Sequence, residues 1–214
     1  MRGIYYTNRL VTILVLSVTM IACASSAAAP APPIDQDKAI SLFRNYSADY
    51  IVYDTPTKLA ASSELVVTGS LAEVRVGRSM QNPDASWDKW TTTIMVIRSA
   101  STLAGKNRNS DTSVVYVELP NPSNMQLSEF RQALPVNARV VLYLSRAASK
   151  AENPDVASVN GNDDIDSSLY LPVSPQGFGM EDAQESTIVW PLAGSVLKGS
   201  LRDASPGGNV LPVD

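Results

Sequence analysis

The sequence predicts a mainly β domain with a few short helices, its sheet curled or closed into a small barrel, behind an N-terminal signal peptide. Three observations carry this expectation. The stretch 65–76 reads Leu-Val-Val-Thr-Gly-Ser-Leu-Ala-Glu-Val-Arg-Val, a long strand-forming run with Gly69 inside it. A glycine within a strand marks a bulge, a bend or the close approach of another backbone, and such bends let a small sheet curl on itself. Runs of similar character recur at 91–98, 113–119 and 139–145, each bounded by turn formers. Finally, Arg2 and Arg9 precede an apolar run at 10–22 that stops at Cys23, which is the layout of an export signal.

The chain has 214 residues, 44% of them hydrophobic and 18% charged, enough for one globular domain once a leader and a linker are set aside. Its expected organisation is a signal peptide at 1–22, a Pro/Ala-rich tether at 23–33, a single β-rich domain at 34–192 and a flexible tail at 193–214. A formal net charge of -4 leaves no basic footprint for nucleic acid. Histidine is absent, which removes the commonest general base, the Ser-His-Asp arrangement and most catalytic zinc sites together. Cys23 is the one cysteine, so no intramolecular disulfide and no Cys-His nucleophile can form.

The apolar leader is shorter than the roughly 20 residues a membrane-spanning helix needs, so removal is expected. Met20-Ile21-Ala22-Cys23 resembles the bacterial lipobox, with Met20 where leucine is more usual, and the resemblance implies that Cys23 is lipidated and becomes the mature first residue. A second cut site exists at Ala27-Ala28-Ala29, and cleavage there would release a secreted protein. Residues 24–33 are small and proline-rich, with nothing to bury, and read as a spacer.

Within the domain, Ile34, Ala39, Ile40, Leu42 and Phe43 recur at helical spacing and predict a helix over 36–45, favoured by Asp35 and Asp37 at its start. The aromatic and β-branched run 49–54 reads as an edge strand. Pro56 suits a first helical turn and leads a short helix toward the strand holding Gly69. Asn82-Pro83-Asp84 is a turn signal, and the flanking Trp87 and Trp90 either cap this hairpin end by packing or form a ligand platform. In the strand 113–119, Val115 and Val117 face one way and Val114, Tyr116 and Glu118 the other, which predicts one buried face. Leu127, Phe130, Ala133 and Leu134 mark a short helix with its cap at Ser123 or Asn124. The near-continuous apolar run 139–145 belongs in the middle of a sheet or inside a barrel. Residues 147–168 read as a polar surface loop, followed by short strands at 169–173, about 178–180 and 187–190.

Ser63-Glu64-Leu65-Val66-Val67-Thr68-Gly69, the strand 91–97 with Leu103-Ala104-Gly105, the run 114–117 and the run 140–144 together resemble a pattern found in exported bacterial proteins of mostly unknown function. The match spans roughly 60–190 and consists of strand cores and glycines, so it implies a fold and no active site. The same strand logic is similar to the oligonucleotide/oligosaccharide-binding (OB) barrel of netrin modules and the tissue inhibitors of metalloproteinases, which implies an OB-like closed barrel. Those modules carry disulfide cysteines around the barrel and this chain has none there, so protease inhibition does not transfer.

No catalytic constellation emerges. Asn160, Asn162 and Asp164 alternate as in a calcium loop, but Asp163 stands where the loop needs glycine and Leu169 where it needs a bidentate glutamate, so no metal or other cofactor is expected. Ser145 with Lys150 lacks a motif, and Glu181-Asp182 are merely adjacent. These readings favour an exported, lipid-anchored, monomeric envelope protein that contacts the membrane through its anchor. Its non-catalytic β domain would bind a protein, peptide or glycan, with Trp87 and Trp90 as the candidate platform, or serve a purely structural role. The alternative is a hydrolase working through a carboxylate pair, which needs no histidine.

Overall fold

The structure, a computed structural model, describes residues 32–82, 85–153 and 163–213, with side chains in these spans except those of 81–82, 85–88 and 163–164. The chain is mainly β, as its alternating and apolar runs predict. The strands are β1 (Leu65–Asn82), β2 (Ala85–Gly105), β3 (Val115–Leu119), β4 (Arg139–Arg146), β5 (Leu169–Pro172), β6 (Phe178–Asp182), β7 (Thr187–Trp190) and β8 (Ser195–Lys198). They form one sheet in the order β1-β2-β3-β5-β4-β6-β7-β8, with β1 and β4 also paired. All pairings are antiparallel except β3 with β5. From Leu65 to Ser70, β1 is bonded to β2 along one edge and to β4 along the other.

Gly69 sits at an irregularity of the β1–β2 ladder, between Thr68 paired to Ser101 and Ser70 paired to Arg98, while toward β4 it pairs regularly with Val140. A Cβ there would lie 2.6 Å from Ile97 Cγ2, 3.0 Å from the Arg98 carbonyl oxygen and 3.3 Å from Ala100 Cα. Of the two reasons a strand glycine can have, positive φ or closeness of a neighbour, closeness holds here. Gly69→Val should therefore lose about 1–3 kcal/mol in urea unfolding, outweighing the gain of up to about 1 kcal/mol that valine brings to an open strand. An unchanged or raised midpoint would refute the close approach.

The helices are short: α1 (Gln36–Ser41), α2 (Pro56–Ala61), α3 (Leu127–Ala133) and α4 (Asp163–Ser167). In α1 the Asp35 carboxylate accepts from the Lys38 backbone N–H at 3.1 Å, and in α2 Thr55 caps while Pro56 takes the first position. Helix α1 ends four residues before the expected 45: the Phe43, Arg44 and Tyr46 N–H groups bond three residues back, a tighter turn. The Phe43 ring meets Phe130 of α3 edge-on, centroids 5.9 Å apart. The cap of α3 is Gln126, whose N–H donates to the Glu129 carboxylate at 2.8 Å, in place of the expected Ser123 or Asn124.

Two apolar layers flank the central strands. Val67, Leu71, Met95, Ile97, Val117, Val140, Leu142, Leu144 and Phe178 fill the inner core, closed by Phe43, Phe130 and Leu134. Val66, Val141, Tyr143, Ile188 and Trp190 form a second cluster on the opposite face. This double burial explains why β4 reads as an unbroken apolar run.

Two expectations are corrected. The run 49–54 forms no strand: Ile51 and Val52 are exposed, and the Tyr53 N–H and C=O both bond the Gln176 side-chain amide at 2.8 Å. With its N–H and C=O satisfied by one buried amide, Tyr53 needs no sheet edge. Residues 193–213 are not a loose tail. They supply β8, paired with β7, and then Leu201, Ala204 and Leu211, which cover Trp190 and Tyr143. The domain therefore continues to 213, past the expected boundary at 192.

Candidate functional site

The site begins with a local irregularity in β1. The β1–β2 ladder shifts register between Val76 and Ser79, and a Cβ on Gly77 would lie 2.3 Å from Thr92 Oγ1 and 2.8 Å from the Thr92 carbonyl oxygen. Glycine thus lets β1 press against β2 there. Val76 faces solvent and Arg78 is turned inward, only 1% exposed.

A buried guanidinium requires partners, since an unpaired charge in the interior costs several kcal/mol. Arg78 has them on three elements. Its Nε donates to Glu118 Oε1 of β3 at 2.9 Å and its Nη2 to Glu118 Oε2, a bidentate fork. Its Nη1 donates to the Ala148 carbonyl at 2.5 Å and to Asp166 Oδ1 of α4 at 3.2 Å. The Thr92 hydroxyl donates to Glu118 Oε1 at 2.6 Å and accepts from the Arg78 N–H at 2.9 Å. Asp166 in turn accepts from the Lys150 N–H at 2.8 Å. Burial works to lower the pKa of the guanidinium, and the two carboxylates more than offset it, so the net shift is upward.

Above this cluster lies an open cavity of about 580 Å3. Arg78, Thr92 and Glu118 form its polar floor, while Tyr46, Met80, Trp90, Pro120, Pro122 and Leu192 supply apolar wall. Trp90 is 37% exposed. Ser174 also lines the cavity, and its hydroxyl is buried with no hydrogen-bond partner among the described residues.

Of the residues singled out from sequence, Trp90 lies on the cavity wall. Trp87 belongs to β2, but its side chain is outside the described part of the structure, so the pair cannot be drawn as one surface. Cys23, Asn160 and Asn162 lie outside the described residues. Among the described residues, no group of three or more acidic, histidine or cysteine side chains could hold a metal ion. No helix among them is long and apolar enough to cross a membrane.

The Arg78, Glu118 and Asp166 cluster escaped sequence reading. Glu118 alternates with Val115 and Val117 and so reads as solvent-facing, yet it is 1% exposed because Arg78 and α4 cover that side of β3. Asp166 stands in a stretch that reads as polar loop, part of which is α4. The available signal was Gly77-Arg78, a second glycine within β1 followed directly by a charge. Comparisons with protein-family models, with curated proteins and with solved structures give no match to the chain.

Proposed function

We propose that this is an exported, lipid-anchored envelope protein whose domain, an OB-like closed barrel, binds an extended peptide or glycan segment in the cavity beside Trp90 without catalysis. The barrel reading rests on the pairing cycle: β1 pairs β2, β2 pairs β3, β3 runs parallel to β5, β5 pairs β4, and β4 returns to β1. Helix α3 lies between β3 and β4 in this order. Export and anchoring rest on the apolar leader that stops at Cys23, with release after Ala29 as the secreted alternative.

The observation that carries the binding function is the cavity itself, a concave site with mostly apolar and aromatic walls and a few fixed polar groups, the composition expected of a recognition site. The hydrolase reading fares worse there. Glu118 does line the cavity, but both its oxygens are held by Arg78 and Thr92, and Asp166 is bound to the same guanidinium. Neither carboxylate is placed to protonate a leaving group or activate water across a substrate.

The test has two stages. Cys23→Ala should move the protein from the membrane fraction to the soluble one; continued membrane fractionation at the processed size would sink the anchor. The soluble Cys23→Ala protein is then titrated calorimetrically with proline-rich peptides and with chito-oligosaccharides. Binding to one class is expected, weakened about tenfold or more by Trp90→Ala, with the unfolding free energy within about 0.5 kcal/mol of the parent. Hydrolysis of either probe, abolished by Glu118→Gln, would replace binding with catalysis.

A further inference from the structure

Outside the cavity, the span of β1 from Ser70 to Arg75 collects four arginines from four elements. Leu71 and Val74 point into the inner core, and a register shift between Leu71 and Glu73 turns Glu73 outward along with Ser70 and Arg75. Ser70 is flanked across the sheet by Arg98 of β2 and by Arg139 of β4. Opposed residues of neighbouring strands share a face, so these side chains stand in one row. Arg75 pairs with Glu73 at 2.7 Å, and Arg131 of α3 donates from Nε to the Val74 carbonyl at 3.1 Å, reaching the same stretch.

Arg139 is paired with the buried Glu181 at 2.7 Å and Arg75 with Glu73. Exposed Arg98 has Asp111 nearby, its charge adding to the Ser113 hydrogen bonds that hold that carboxyl below its usual range, and exposed Arg131 makes no ion pair among the described residues. The Glu73 carboxyl is held below its usual range first by the Arg75 hydrogen bond, against some desolvation, with the charges of Arg131 and Arg98 adding to that of Arg75. Arg75 also lines a polar hollow of about 760 Å3 shared with Arg108, Ser110 and Asp111. Four arginines against Glu73, Glu181 and Asp111 leave a small local excess of positive charge on a chain whose formal net charge is -4.

An apolar tip stands beside it. The loop between α3 and β4 is tied to the same stretch by the Asn137 N–H donating to the Leu71 carbonyl at 2.7 Å and the Leu71 N–H donating to the Ala138 carbonyl at 2.9 Å. Val136, the residue before this tie, is 54% exposed. An apolar side chain at a loop tip with arginines around it suits a surface that is anionic at the headgroups and apolar just beneath.

We propose that Arg75, Arg98, Arg131 and Arg139, with Val136 at their edge, form a docking face for a bilayer surface rich in anionic phospholipid headgroups. The choice of a membrane over a soluble polyanion rests on the anchored reading. A lipid at Cys23 and a tether over 23–33, reaching at most roughly 40 Å at about 3.6 Å per residue, would hold the domain within reach of a bilayer. Each basic residue near an anionic surface strengthens binding only about fivefold, so Arg131, which makes no ion pair among the described residues, gives a bias of about fivefold, enough to orient a tethered protein and readable for a free one as a difference in partitioning at high lipid concentration.

Purified Cys23→Ala protein, which carries no anchor, is sedimented with phosphatidylcholine vesicles containing none or about one third phosphatidylglycerol. The expected result, read at high lipid concentration, is about fivefold stronger partitioning to the anionic vesicles, falling between about 50 mM and about 500 mM salt. The Arg98→Glu/Arg131→Glu variant should partition as on neutral vesicles while keeping its unfolding midpoint; Trp90→Ala should bind like its parent. Equal partitioning to both vesicles, an unaffected charge-reversal variant, or retention by soluble polyphosphate without vesicle binding would each overturn the proposal. These outcomes are separate from the anchor test, because the fractionation shift on Cys23→Ala is read without added vesicles.

Discussion

Arg78→Met should destabilise the domain by about 3–5 kcal/mol in urea unfolding at neutral pH, one of the largest effects of any single substitution in the chain. Methionine fills much of the arginine stem's volume, so the loss comes from charge. Glu118 and Asp166, 1% and 4% exposed, would be left buried without the cation that holds both. One further measurement separates this cause from a packing defect. Replacing all three, as Arg78→Met/Glu118→Gln/Asp166→Asn, should be markedly less harmful than Arg78→Met alone, because a buried ion cluster removed whole costs little or nothing. A single variant within about 0.5 kcal/mol of the parent would show that water already reaches the cluster.

The same cluster bears on binding. Arg78 joins β1, β3, α4 and the Ala148 carbonyl, and so fixes the β4–β5 connection against the cavity floor. A floor held in this way presents Thr92 and Glu118 in one arrangement, limiting the ordering that binding would otherwise demand. Arg78 is in this sense a support for the Trp90 wall rather than a contact for the ligand.

What could be read from the chain follows the range of the interactions concerned. Strands β1 and β4 were legible because residue type decides them locally: β-branched runs, a glycine where Ile97 presses close, and an apolar run buried on both faces. Pro56 at the start of α2 is equally local. The Arg78 cluster joins residues 40 and 88 positions apart, and no periodicity within β3 distinguishes a glutamate facing water from one facing an arginine. Trp90 was legible as a candidate surface, but only the fold sets it over Arg78 and beside Pro120. The run 49–54 misled because residue type suggested a strand while Gln176, 123 positions away from Tyr53, supplied the hydrogen bonds a sheet edge would have given.

The C-terminal segment misled for a related reason, and it yields the other large effect. Ser205-Pro206-Gly207-Gly208 has the composition of a fraying end, yet the same residues allow a tight turn: the Val210 N–H donates to the Asp203 carbonyl at 2.9 Å, and a Cβ on Gly208 would meet that oxygen at 2.0 Å. Asp203 accepts from the Ser200 N–H and hydroxyl at 3.0 and 2.8 Å, and the Tyr143 hydroxyl donates to the Ala204 carbonyl at 2.6 Å. Gln176, which holds Tyr53, also donates to the Pro212 carbonyl. A chain ending at Leu192 would lose Leu201 and Leu211, each contributing about 1.5–3 kcal/mol by burial, and would uncover Trp190, Tyr143 and Ile188, now fully buried. The combined loss exceeds about 5 kcal/mol, the lower end of a typical domain's total stability. The truncated protein should therefore show no cooperative unfolding transition and should sediment as aggregate, while a chain ending at Val213 unfolds cooperatively. A truncation at 192 with the parent's midpoint would return this segment to the status of a tail and dissolve the second apolar layer.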